Sequence, residues 1–66
     1  MDEVELVLRD HKKAGWEQEG KNYYDEDKAR KFAAQLGSST GRSVKLVQVR
    51  RRNEMPLFIV LLYRRK

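Results

Sequence analysis

There is no cysteine among the 66 residues and one histidine, His11. Neither a disulfide framework nor a thiolate or histidine-cluster metal site is therefore expected to hold the chain together. Proline occurs once, at Pro56, and tryptophan once, at Trp16. The longest apolar run, Leu57 to Tyr63, is far shorter than the roughly 20 residues a helix needs to cross a bilayer, so no membrane span is expected. Nucleophile, base and orienting group cannot be assembled from a lone histidine and scattered serines, so the expectation is of a protein that is not an enzyme, with no cofactor and no evident small-molecule substrate. The opening Met1-Asp2-Glu3 is acidic and does not resemble a secretory or transit segment, which makes a cytoplasmic location the expectation.

Charge, by contrast, is abundant and unevenly placed. Residues 42–66 hold eight Lys/Arg against one acid, Glu54, whereas residues 1–41 hold seven Lys/Arg against nine Asp/Glu. The overall +5 thus comes from a strongly basic carboxyl-terminal segment joined to a mildly acidic body. Such a segment suits an anion, and nucleic acid is the commonest large one; anionic lipid or an acidic protein would satisfy the same physics. A chain this short forms one domain, residues 1–66, that hides only about 60 % of its unfolded surface, which leaves room for a single small core.

Along the chain, Val4, Leu6 and Leu8 alternate with charged residues, and this period-2 pattern predicts a strand over residues 3–9. The polar stretch from Asp10 to Gly15 reads as a turn, and Trp16–Glu19 as a short returning strand. Asp25 is a helix cap, with Glu26 and Asp27 in the first turn and Ala29, Phe32, Ala33 and Leu36 at helical spacing, which predicts a helix from about Glu26 to Leu36 with Gly37 as its stop and residues 38–41 as a connector. Ser43–Arg50 and Leu57–Arg64 read as two strands of an antiparallel hairpin around Asn53 and Pro56, with Val49 opposite Leu57, Val47 opposite Ile59 and Lys45 opposite Leu61. The fold expected is α+β: one helix packed on a small, mainly antiparallel sheet, in the order β-(β)-α-β-β, ending in a long basic hairpin.

The last strand is apolar on both sides, and one helix covers one face. A homodimer built on that strand is the expected answer; the Trp16–Tyr24 segment folding over, or arginine stems shielding a few aliphatics, are the others. The candidate nucleic-acid contacts are Arg50, Arg51 and Arg52 at the hairpin tip, with Arg42, Lys45, Arg64 and Arg65 as further contributors at the other end, roughly 23 Å away at ~3.3 Å per residue. The competing expectation is a structural or protein-interaction module, homodimeric through its apolar carboxyl-terminal strand, with arginines guarding the sheet against aggregation. Trp16, Tyr23 and Tyr24 are candidate stacking platforms or ordinary packing; His11 reads as a turn residue, Asp25–Asp27 as a cap rather than a cation site, and Gly37–Arg42 lacks the spacing and lysine of a phosphate-binding loop.

Overall fold

The computed structural model describes residues 2–65 and contains two helices and one three-stranded antiparallel sheet in the order α1 (Glu3–Lys13), β1 (Trp16–Tyr23), α2 (Glu26–Thr40), β2 (Val44–Val49) and β3 (Leu57–Tyr63). The class is α+β, as the residue patterns indicate. The sheet order is β1-β3-β2, so the carboxyl-terminal strand is central and bonded on both sides.

The strand expected over residues 3–9 is instead the first two turns of a helix. Asp2 caps it, its carboxylate accepting from the Val4 N–H at 3.0 Å, and Glu3 and Glu5 lie in the first turn while His11, Lys12 and Lys13 lie in the last. These placements complement the helix dipole at both ends. Val4, Val7 and Leu8 share one face and pack into the core with Val49, Leu57, Ile59 and Leu61, while Leu6, inward in the strand reading, is 44 % exposed. His11 continues the inward row and its Nδ1 lies 2.8 Å from the Val7 carbonyl oxygen. The turn read from Asp10 onward begins only at Ala14 and Gly15, the latter at φ 98°.

The second helix starts where Asp25 predicts, its side chain accepting from the N–H groups of Asp27 and Lys28. It does not stop at Gly37. The hydroxyls of Ser39 and Thr40 donate back to the Leu36 carbonyl, extending the helix through the supposed connector, and Gly41, left-handed at φ 67°, ends it by donating to the Gly37 carbonyl. Gly37 lies inside the helix facing β2, where a Cβ would stand 3.6 Å from the Val44 side chain, an ordinary packing distance. Ala29, Phe32, Ala33 and Leu36 meet Phe58, Val60, Leu46 and Tyr23 beneath.

The hairpin has the expected register, Val49 facing Leu57, Val47 facing Ile59 and Lys45 facing Leu61, and Asn53 takes the left-handed position of its turn at φ 60°. β1 is longer than the four residues expected. It pairs with β3 from Trp16 opposite Tyr63 to Tyr23 opposite Phe58, with an irregularity between Glu19 and Tyr23 where Gly20 adopts φ 74°. All six residues from Leu57 to Leu62 are buried. Each buried aliphatic contributes about 1.5–3 kcal/mol, which makes β3 the axis of the molecule.

Both faces of β3 are covered from within the chain: α1 lies on the side of Leu57, Ile59 and Leu61, and α2 on the side of Phe58 and Val60. The homodimer expected through this strand loses its reason, because the face that called for a second subunit is occupied by α1. The reason for an interaction module working through the same strand goes with it. Among the described residues, no helix is long and apolar enough to span a membrane, and no cluster of metal-ligating side chains occurs.

Candidate nucleic-acid interface

The antiparallel β2 and β3 span the sheet between the Arg42 end and the Arg50–Pro56 turn, so Arg50, Arg51 and Arg52 fall at one end, Arg42, Arg64 and Arg65 at the other, and Lys45 within β2. Their surroundings differ sharply. At the turn, Arg50 and Arg52 are exposed and take part in no ion pair or side-chain hydrogen bond among the described residues. Arg51 is drawn inward. Its side chain is only 16 % exposed, Nη1 is 3.1 Å from the Glu54 carboxylate, Nη2 donates to the Met55 carbonyl at 3.0 Å, and the guanidinium lies over the Tyr24 ring. Its Nε is buried with no hydrogen-bond partner among the described residues. These contacts hold the turn in shape and leave Arg51 little freedom to reach an external phosphate. Arg50 and Arg51 line a shallow depression with Gln48, Glu54 and Pro56.

At the other end the arginines serve the fold. Arg64 meets two carboxylates of β1, Glu17 at 3.3 Å and Glu19 through a short charge-assisted hydrogen bond. Strand pairing dictates this, because β1 runs beside β3 with Glu17 opposite Leu62 and Glu19 opposite Val60, and side chains of like parity share a face. Arg42 reaches across to the carbonyls of Tyr63 and Arg64 at 3.3 and 3.5 Å. Arg65 donates to the Lys13 carbonyl at 3.2 Å, satisfying the carboxyl-terminal end of α1, and its stem lies against Gly15. Lys45 sits over the Trp16 ring at 5.1 Å, and Trp16 packs edge-on against Tyr63. Lys66 lies outside the described residues.

The helices shape the field further. Tyr23 pairs with Phe58 near the hairpin turn, so α2 begins at that end and brings Asp25, Glu26 and Asp27 toward it. Glu26 is paired with Arg30 and Asp25 is engaged in capping. Of the candidate stacking residues, Tyr23 packs against Phe32 with ring centroids 6.0 Å apart, Trp16 is half-buried under Lys45, and Tyr24 alone is well exposed, at 60 %.

A second group of cations was not found from the sequence. Arg9, Lys12 and Lys13 stand exposed on α1 and line an open groove with Glu5 and Leu8. Leu8 and Lys12 also border a neighbouring depression whose other walls are Trp16, Glu17 and Gln18 of β1. The helical spacing of Arg9, Lys12 and Lys13 was the available signal, hidden by the strand reading of the same segment. Comparison with known proteins adds no relative from which function could be carried over: no family model, curated protein or solved structure matches the chain.

Proposed function

We propose that the chain binds DNA or RNA through charge-dominated contacts to the phosphate backbone, made chiefly by Arg50 and Arg52 at the hairpin turn. The observation that carries this reading is the pairing pattern: within the basic segment, these two exposed guanidinium groups have neither an acidic partner nor a carbonyl to satisfy among the described residues, and they stand at the turn of the β2–β3 hairpin, where Arg50 borders a depression. Guanidinium presents two parallel donors that match phosphate oxygens, and a fixed arm lowers the entropy lost on contact. Lys45 adds charge further along β2, while Arg42 and Arg65 are exposed secondary contributors with part of their donor capacity already used. Arg51 and Arg64 support the arm rather than the ligand. The reading carries with it a cytoplasmic location and a chain that is not an enzyme.

The test is a titration against labelled duplex DNA, single-stranded DNA and RNA at several salt concentrations. If about three phosphates are neutralised on duplex, log affinity falls with log salt at a slope near −2.7, weakening binding roughly fortyfold between 50 and 200 mM. A flat response on all three ligands overturns the proposal.

A further inference from the structure

β1 is an edge strand with a basic, apolar-floored groove beside it, and we infer that this edge takes up an extended acidic peptide as a fourth strand. The direction of the free edge follows from two hydrogen bonds. Tyr63 N–H donates to the Ser43 carbonyl at 3.0 Å and Arg64 N–H to the Gly15 carbonyl at 2.8 Å, so β3 turns its odd-numbered residues to β2 and its even-numbered residues to β1. β1 therefore uses the main-chain groups of Gly15, Glu17 and Glu19 on β3 and directs those of Trp16 and Gln18 outward, where they bond to no other element among the described residues. An unpaired row of this kind accepts a strand from another chain unless something blocks it. β1 contains no proline, and no other strand among the described residues pairs with this edge.

The occupant's chemistry is set by the walls. The depression bordered by Leu8, Lys12, Trp16, Glu17 and Gln18 draws its walls from α1 and β1 and from neither of the other strands, which places it on the β1 side of the sheet, and it shares Leu8 and Lys12 with the groove flanked by Arg9 and Lys13. Leu8 and Trp16 offer an apolar floor for one side chain of an incoming strand. Arg9, Lys12 and Lys13 make no ion pair among the described residues, whereas Glu17, the acid nearest the edge, already meets Arg64. Glu5 is the one acid in the groove without such a partner. Carboxylates on the incoming strand thus meet three cations without an ion pair, set against the single carboxylate of Glu5. Nucleic acid would satisfy the charge but has no amide ladder for the main chain of Trp16 and Gln18, which is why a peptide is the better match.

Trp16 is the sole tryptophan, and its emission reports on the site directly. The probe is a capped peptide of alternating glutamate and valine, about eight residues long to match the length of β1. Three comparisons accompany it: the same peptide N-methylated at alternate residues, a version with lysine in place of glutamate, and a single-stranded oligonucleotide. The capped peptide is expected to shift Trp16 emission saturably below about 1 mM and to move the amide resonances of Trp16 and Gln18. Binding should weaken at least tenfold on N-methylation, on the lysine exchange, and in K12A/K13A, while R50S/R52S leaves it unchanged. K12A/K13A is checked for folding by circular dichroism, and the N-methylated peptide tests the ladder without altering the protein. Equal binding of the N-methylated peptide, no binding near 1 mM, or a Trp16 response to the oligonucleotide alone overturns the inference. Failure here leaves the hairpin proposal standing, because that proposal is read from Arg50 and Arg52.

Discussion

Gly20 is the position where a single methyl group should do the most damage. It sits in the irregular stretch of β1 at φ 74°, and a Cβ built there would stand 2.7 Å from Cε2 and 2.9 Å from Cζ of Phe32. The Phe32 ring cannot easily retreat, because it packs with Ala29, Phe58 and Val60 and lies against Tyr23. Two costs add in Gly20→Ala: roughly 1 kcal/mol for a left-handed backbone with a side chain, and about 1–3 kcal/mol for forcing a methyl into a packed contact. The sum, about 2–4 kcal/mol, is a large part of the roughly 3–10 kcal/mol that per-residue scaling gives a 66-residue domain. At about 4–8 °C per kcal/mol for a domain of this size, the thermal midpoint should fall by at least ~8 °C, as followed by circular dichroism. Gly41→Ala is the internal control. Gly41 has a similar φ of 67° but nothing within 4 Å of its would-be Cβ, so only the backbone cost of roughly 1 kcal/mol applies. Equal losses at the two glycines would refute the proposed clash, as would a midpoint for Gly20→Ala within ~3 °C of the parent.

The helical reading of residues 3–13 gives a paired test. Leu6→Asp, on the exposed side of α1, should change stability by no more than about 0.5 kcal/mol, whereas Val7→Asp, which places a carboxylate against the Ile59 and Leu61 side of the core, should cost about 2 kcal/mol or more in urea unfolding. A strand would reverse that order. Leu61→Ala, at a fully buried position of β3, should cost about 2–5 kcal/mol and leave little folded protein at 37 °C; a loss below about 1 kcal/mol would mean the central strand is not the axis of the core.

The hairpin and the start of α2 were legible in the sequence because their determinants are local: two apolar strands close together in the chain, a left-handed Asn53 between them, and a capping aspartate before a row at helical spacing. The amino-terminal helix was not. Val4, Leu6 and Leu8 fit alternation, yet Val4, Val7, Leu8 and His11 fit a helix equally well, and Asp2 is as good a cap as Asp25. What separates the two is a demand from elsewhere. β3 carries a second apolar face, and an eleven-residue helix lays a rod about 16 Å long across it, while a fourth edge strand would leave that face open. Gly37 misled because a glycine in a helical row reads as a stop, whereas the left-handed backbone that ends the helix is at Gly41.

The interface was legible as a total charge but not as a set of usable groups. That Arg64 would meet Glu17 and Glu19 depends on β1 pairing with β3 across 45 residues of sequence, and that Arg65 would serve the end of α1 depends on α1 being a helix. Three consecutive arginines at the turn likewise hide a division of labour. The middle one points inward to Glu54 and Tyr24, and its neighbours point out.

The most direct measurement compares R50S/R52S with R64S against the same labelled duplex at 50 mM salt. The two variants remove guanidinium groups from the same basic segment, but from different surroundings. The division described above predicts that R50S/R52S loses at least tenfold in affinity while its thermal midpoint holds, and that R64S binds as the parent does. Equal or greater loss of binding in R64S would contradict it.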